Sequence, residues 1–147
     1  MKSLFEKSAV DEILERIEKL TPQTQRLWGK MNVNQMLAHC SAGLEMASGR
    51  ITPPRSFMGR IIGGFFKDMY INDKPFEKSS PTSLKIENNL DYAKEKQRLK
   101  ETISIFSQDG IAGVTSQPHP FFGRLTPEAW GKGMYKHVDH HLKQFGA

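Results

Sequence analysis

The feature that most constrains the fold is a spacing of apolar residues by three and four positions, which recurs in four separate stretches of the chain. This spacing places apolar side chains on one face of an α-helix. In the first stretch the apolar positions are Val10, Ile13, Leu14, Ile17 and Leu20. Charged residues fill the positions between them, and Thr21-Pro22 ends the pattern because proline restricts the residue before it. A first helix is therefore predicted over residues 8–19.

The same spacing predicts the second and third helices. Residues 33–48 follow Asn32, which can cap a helix, and Gln35 stands where a capping box requires Glu or Gln. The apolar positions of this second helix are Val33, Leu37, Cys40, Leu44 and Ala47. A third, strongly charged helix is predicted over residues 86–107, with Tyr92, Leu99, Ile103 and Phe106 on one face. Gly49 and Gly110 follow as stops, since glycine readily ends a helix.

The last helix has the clearest start. Thr126 is its predicted cap, Pro127 its first residue, and Glu128 suits the positive end of the helix dipole. Its pattern continues to about Phe145, and Gly146 ends it. Residues 50–85 instead contain four prolines and three glycines. They are predicted to form an irregular excursion with a short helix near 56–70.

These elements predict an all-α chain, because no convincing pair of strands is evident. Four helices with one long connection between the second and the third correspond to an antiparallel four-helix bundle with a long crossover excursion. The length of 147 residues suits one domain, and we expect residues 1–147 to form a single helical-bundle domain. The chain has one cysteine, which excludes an intramolecular disulfide.

Charge and hydropathy narrow the classes of function. The net charge of +5 is mild and no recognised nucleic-acid motif is present, so nucleic acid is not expected as a partner. The longest apolar run, residues 61–66, is far shorter than the roughly 20 residues of a membrane helix. The first residues carry acidic side chains and are not followed by the apolar region of a signal peptide. We expect a cytoplasmic protein with no membrane partner.

Three of the five histidines lie in the last eleven residues. On a helical wheel, His137 and His141 fall on the apolar face of the last helix, one i, i+4 step apart. That face comprises Trp130, Met134, His137, His141 and Phe145, and the opposite face comprises Lys132, Lys136, Asp139 and Lys143. Buried imidazoles need polar partners, and two at this spacing can bind one metal ion. The alternative is that both are ordinary bundle residues with water or backbone partners, and the spacing alone leaves the two interpretations equally weighted.

His39 on the second helix is the candidate for a third ligand. It lies at the edge of the apolar stripe, from which a side chain can still point between neighbouring helices. Three histidines and an open water position would allow catalysis. His140 turns towards the flank of its helix and is expected at a rim or on the surface. His119, in the loop before the last helix, can reach a pocket mouth, although a surface position is slightly favoured.

Two further residues have a functional and a structural interpretation. Cys40 is most simply a small core residue, and the alternative is a reactive thiol, which requires exposure and a lowered pKa. Glu95 on the third helix could enter the pocket as a base, but a solvated carboxylate is favoured.

The histidines lie in segments with a recognisable pattern. Residues 28–40, Trp-Gly-Lys-Met-Asn-Val-Asn-Gln-Met-Leu-Ala-His-Cys, resemble the second-helix signature of the DinB/YfiT-like superfamily. Residues 119–131 and 136–146 are similar to a bacterial branch of that superfamily that is described only as a domain of unknown function. The order of these signatures and the number of helices extend the resemblance to nearly the whole chain.

The resemblance implies a four-helix bundle that is often a homodimer. It also implies a divalent metal ion, most often zinc or nickel, held by one histidine of the second helix and an H-x-x-x-H pair of the last. The matching positions are His39, His137 and His141. Some members are metal-dependent thiol transferases that activate a low-molecular-weight thiol, and one is a maleylpyruvate isomerase that uses mycothiol. The resemblance therefore implies a thiol S-transferase, or a related hydrolase or isomerase, acting on such a thiol and a small electrophile.

Three alternatives stay open at this point. The first is a non-catalytic, stress-associated bundle that binds a metal or a small ligand, in which Glu95 or His119 could supply a fourth ligand. The second is nucleic-acid binding, which is supported weakly by the lysines of the last helix and by the superfamily's name, taken from a damage-inducible gene. The third is a bundle that binds no metal.

Overall fold

The computed structural model describes residues 1–82 and 84–147, and its helices follow the predicted apolar repeats. Helix α1 spans Lys7–Glu18, α2 Val33–Ala47, α3 Phe57–Ile62, α4 Lys67–Ile71, α5 Tyr92–Asp109 and α6 Pro127–Gln144. Short 3-10 helices lie at Gly63–Phe66 and Gly110–Gly113. Within the described residues there is no strand, and the only extended pairing is an isolated bridge between His119 and Gly123. The prediction of an all-α chain is confirmed.

The caps of α2 and α6 are formed as the sequence predicts. The Asn32 side chain accepts a hydrogen bond from the Gln35 backbone N–H at 2.9 Å, and Gln35 Oε1 accepts one from the Asn32 N–H at 2.9 Å. Thr126 Oγ1 accepts a hydrogen bond from the Ala129 N–H at 3.1 Å, and Pro127 is the first helical residue. These side chains satisfy backbone donors that would otherwise lack a partner, which fixes where both helices begin.

Helix α5 begins six residues later than predicted, at Tyr92 instead of residue 86. Asn89 has a φ of 57°, in the left-handed region, which interrupts any helix before it. The Asp91 side chain then accepts a hydrogen bond from the Lys94 N–H at 2.8 Å and acts as the true cap. The predicted start was wrong, because residues 86–91 precede the cap and lie outside the helix.

The short helix predicted near residues 56–70 is confirmed, since α3, a 3-10 turn and α4 occupy residues 57–71. Gly59 and Gly63 lie directly on the backbone of Phe121, where a Cβ on Gly63 would come within 1.8 Å of the Phe121 carbonyl oxygen. Residues 57–66 therefore pack through these two glycines and expose most of their large side chains, whereas Tyr70 on α4 is buried in the core. Ser83, inside the predicted excursion of residues 50–85, lies outside the described residues.

The long helices pack against one another in pairs. Helix α2 contacts α5 and α6, α1 contacts the same two helices, and α4 packs on α6. The apolar stripes predicted for α1 and α2 are buried, apart from partly buried Leu14. No helix in the described part of the chain is both long and apolar enough to cross a bilayer. The core therefore lies between α1, α2, α5 and α6, and α2 and α6 meet there.

One face of α6 differs from the prediction. Lys136, placed on the solvated side by the wheel, is only 7% exposed. Its amine donates hydrogen bonds to the Met69 carbonyl oxygen and, at 3.1 Å, to Asn72 Oδ1. Because α4 packs on this side of α6, the lysine is covered and binds backbone and side-chain oxygens at the end of α4. A helical wheel considers only the residues of one helix, so it cannot predict burial by a helix from a distant part of the chain.

Candidate metal centre

The three predicted ligands lie together between α2 and α6. One ligand atom each from His39, His137 and His141 can be chosen so that all lie within 4.8 Å of one another. The Nε2 atoms of His39 and His137 are 2.9 Å apart, and each pair of rings has a centroid separation of 4.7 or 4.8 Å. In a tetrahedral zinc site with Zn–N bonds of about 2.0–2.1 Å, neighbouring nitrogens are about 3.3 Å apart. The trio is therefore close enough to hold one metal ion.

Burial keeps these histidines neutral. His39 is 6% exposed and His141 is 8% exposed. Burial lowers the pKa of His39 to about 4 and that of His141 to about 3, and it holds the pKa of His137 well below its usual range. The positive charges of neighbouring histidines lower all three pKa values further. Neutral imidazole is the form that binds metal ions, so the trio is in its ligating form at neutral pH.

Gln144 fixes the orientation of His141. The Gln144 side-chain oxygen lies 2.8 Å from His141 Nδ1, and its side-chain nitrogen donates a hydrogen bond to the Trp28 carbonyl oxygen at 2.9 Å. Because the amide nitrogen is the donor to Trp28, the amide oxygen must accept from His141. His141 Nδ1 therefore carries the proton, and its Nε2 has a free lone pair. A hydrogen bond to the non-ligating nitrogen is the usual support of a metal-binding histidine.

The facing nitrogens of His39 and His137 fit a shared cation. At 2.9 Å, two Nε2 atoms need either a proton or an ion between them, since two lone pairs repel. A shared proton makes one ring the donor and the other the acceptor of an N–H···N hydrogen bond, and a metal ion in its place would accept the lone pairs of both. The Nδ1 atoms of both rings are buried and have no hydrogen-bond partner within the described residues. The set of three imidazole donors suits zinc and nickel.

Gly43 provides room for the His137 ring. A Cβ at Gly43 would lie 3.0 Å from His137 Cε1 and 3.1 Å from its Nδ1. Neither this glycine nor Gln144 is among the site residues predicted from the sequence. Both signals were available, because Gly43 follows His39 by four residues on α2 and Gln144 follows His141 by three on α6, which places each pair on a common helix face.

The remaining histidines lie outside the trio. His119 is half-buried, and its Nδ1 accepts hydrogen bonds from the backbone N–H groups of Phe121 and Phe122 at 3.1 and 3.2 Å. Its ring packs on Tyr70 and Trp130, so the slight preference for a surface position is wrong: this histidine holds a turn together. His140 lies on the flank of α6 as predicted, with its ring beside Trp28 and Phe76.

Cys40 and Glu95 have structural surroundings. Cys40 is fully buried, and burial raises the pKa of its thiol well above the usual range, which suits the small core residue predicted. Glu95 accepts a hydrogen bond from Arg98 at 3.1 Å, and Arg98 also binds both carboxylate oxygens of Glu45. The Glu95 side chain is 13% exposed and belongs to this ion-pair network, so the solvated carboxylate favoured from the sequence is wrong.

Two cavities open near α6, but the trio lines neither. The larger, of about 1100 Å³, is bordered by His140, and the smaller, of about 290 Å³, is bordered by Trp130 and residues 51–55. His140 connects the larger cavity to the trio, because its ring lies 5.1 Å from that of His141. The three histidines are therefore buried behind the wall of the larger cavity.

The family model described as "Protein of unknown function (DUF1569)" matches residues 2–147. No curated protein and no solved structure matches. Since the family match extends over nearly the full length, the chain belongs to the family described as Protein of unknown function (DUF1569).

Proposed function

We propose that this chain is a four-helix bundle of the DinB/YfiT type that binds one divalent metal ion and acts as a metal-dependent thiol S-transferase, or as a related hydrolase or isomerase. Its substrates would be a low-molecular-weight thiol and a small electrophile. The observation that carries the proposal is the convergence of three neutral imidazoles, from His39 on α2 and from His137 and His141 on α6. The pairwise packing of α1 and α2 against α5 and α6 supports the bundle.

The residues of the chain have distinct roles in this proposal. His39, His137 and His141 would hold the ion, Gln144 orients His141, and Gly43 leaves space for the His137 ring. A divalent ion bound there supplies positive charge, which polarises a substrate atom and favours the deprotonated form of a thiol or of water. Three protein ligands would leave room for a substrate as a further ligand. Zinc and nickel are the metals we favour, since both accept imidazole ligands.

A second candidate is a stress-associated bundle that binds metal without catalysis. It is favoured by one observation, that the trio lines neither of the two cavities. A closed, structural site predicts that the metal has no position to which a substrate or exogenous thiol can bind. The two candidates therefore differ in whether added thiols change the metal's surroundings.

Elemental analysis of the purified protein tests the metal site. We expect about one equivalent of zinc or nickel in the wild type, and loss of most of it in His137→Ala, because two imidazoles bind far more weakly than three. His140→Ala is the matched control, since this neighbouring histidine lies outside the trio, and it should retain the metal. Retention of stoichiometric metal by His137→Ala would contradict the assignment.

Reactivity distinguishes the two candidates. The metal-loaded protein is incubated with a panel of low-molecular-weight thiols and small electrophiles, and thiol consumption is followed. Turnover that disappears in His137→Ala supports the transferase. In a cobalt-substituted sample, added thiol should also change the visible spectrum if a position is open. Unchanged spectra together with no turnover would favour the non-catalytic site.

A further inference from the structure

The larger cavity is a groove with an excess of positive charge. It has a volume of about 1100 Å³ and lies between the N-terminal segment, α1, residues 72–78 and α6. Its cationic side chains are Lys2, Arg16, Lys74, Lys78, Lys136 and Lys143, and its carboxylate side chains are Glu6, Glu12, Asp73 and Asp139. The lining therefore contains two more cationic side chains than carboxylates. The distribution of ion pairs decides where this excess lies.

The carboxylates of the groove neutralise its N-terminal side. Asp139 pairs with Arg16 at 2.7 Å and with Lys143 at 2.8 Å, and Glu12 pairs with Lys2. In the part of the chain that the structure describes, no carboxylate lies within ion-pair distance of the other three lysines, which are Lys74, Lys78 and Lys136. The lysines of the lining that have no ion-pair partner among the described residues thus lie at residues 74–78 and on the adjacent part of α6.

Two of these lysines place their amines over aromatic rings. The Lys78 amine is 4.6 Å from the centre of the Trp28 ring, and the Lys136 amine is 4.3 Å from the centre of the Phe76 ring. The His140 ring is 5.8 Å from each of these two aromatic rings. Lys136 is buried and already donates to two oxygens, so it contributes charge, whereas Lys74 and Lys78 are exposed and can turn towards a ligand.

We propose that this groove binds a small organic anion, namely a carboxylate attached to a flat apolar body such as an aromatic ring. The flat body would lie against Trp28 and Phe76, and the carboxylate would take the place that no protein carboxylate fills beside Lys74 and Lys78. Pockets for small molecules commonly combine apolar surface with a few polar groups that fix orientation. The proposal goes beyond the metal site and does not depend on it, although His140 places such a ligand next to His141.

Paired probes test the role of charge. Benzoate and benzamide have the same shape and differ mainly in charge, so their binding to EDTA-treated protein is compared by ligand-observed NMR. We expect benzoate to bind at least tenfold more tightly than benzamide, and its affinity to fall as salt is added. Use of metal-free protein separates this result from the metal proposal. Equal binding of the two probes, or no binding of benzoate up to 10 mM (an order-of-magnitude limit for a weak site), would overturn the proposal.

Matched variants locate the binding. Lys74→Ala/Lys78→Ala should weaken benzoate binding by about fivefold to tenfold, because each exposed charge contributes modestly. Lys19→Ala/Lys94→Ala removes the same charge from exposed positions that do not line the groove, and should bind benzoate as the wild type does. Benzoate should also change Trp28 emission, a signal that Trp28→Phe removes. If benzoate affinity falls equally in both double variants, or in neither, then Lys74 and Lys78 do not form the site.

Discussion

Helix α6 buries polar side chains, whereas residues 57–66 expose apolar ones. On α6, His141, Gln144 and Lys136 are each less than 9% exposed. Along the other segment, Phe57 is 76% exposed and Phe65 is 87% exposed. Soluble proteins usually show the opposite distribution for both classes of residue, so each region requires a specific physical reason.

In α6 the reason is that polar partners are present. Gln144 binds His141 and Trp28, and Lys136 binds oxygens at the end of α4, so burial leaves these groups hydrogen-bonded. In residues 57–66 the reason is space. Gly59 and Gly63 are on the side that faces the rest of the molecule. The backbone of Phe121 occupies the space there, so no side chain fits at these two positions. Burial in this protein therefore follows from partner atoms and available space, and residue type alone does not determine it.

The largest effect we expect is a loss of stability of the metal-free protein in mild acid. The folded-state pKa values of His39 and His119 are lowered to about 4 and that of His141 to about 3, against 6.5 when unfolded. Below pH 6.5 the unfolded chain therefore binds more protons than the folded one. The free energy of unfolding then decreases as the pH is lowered. Each of these histidines lowers the free energy of unfolding by about 1.4 kcal/mol per pH unit below pH 6.5, until the pH approaches its folded-state pKa. Together they lower it by several kcal/mol between pH 7.5 and 5.

Urea denaturation of EDTA-treated protein at pH 7.5 and 5 measures this loss. Carboxylates with lowered pKa values, such as Glu12 and Asp139, reduce stability only when the pH falls further, so they contribute little in this range. His119→Phe should have a smaller pH dependence than the wild type, because one titrating group is removed. A free energy of unfolding that is the same at both pH values would show that the buried histidines are not held neutral.

The second prediction tests the close approach of residues 57–66 to Phe121. Gly63→Ala should lower the free energy of unfolding by about 1–3 kcal/mol, because its Cβ would overlap the Phe121 carbonyl oxygen and force the segment to move. Gly64→Ala is the matched control, since no atom lies within 4 Å of its added Cβ. Thermal or urea unfolding should show this control to be neutral or slightly stabilised. Equal stability of the two variants would mean that the segment does not rest on residue 121.

The sequence predicted those features that depend on neighbours along the chain. The cap at Asn32 and the spacing of His137 and His141 are local, so they could be read directly. Asp91 and Gln144 also act on residues three positions away, so the sequence contains the signal for both roles. The burial of Lys136 could not be predicted, because it requires knowledge of where α4 packs. The role of Gly63 likewise depends on a contact with residue 121, which is distant in sequence.

The third prediction concerns the polar contacts of α6. Gln144→Leu should lower metal affinity by about 10- to 100-fold, because His141 loses the acceptor that fixes its ring and tautomer. Gln144→Glu keeps an acceptor at this position and should lose much less affinity. Competition with a chromophoric chelator measures both constants, and circular dichroism checks that the variants are folded. Unchanged affinity in Gln144→Leu would show that His141 does not depend on this hydrogen bond.

The smallest effect is expected where the apolar side chain is most exposed. Phe65→Ser should change the free energy of unfolding by less than about 0.5 kcal/mol, since an 87% exposed ring loses little contact with water on folding. Phe106→Ala, at a 2% exposed core position, should cost about 3–5 kcal/mol and serves as the contrasting control. Both are measured by urea unfolding over a range of protein concentrations. If Phe65→Ser instead costs 1 kcal/mol or more, and the cost grows with protein concentration, then the ring is covered in solution by another molecule of this chain. Residues 57–66 would then follow the same rule as α6, with the partner that completes their burial supplied from outside the chain.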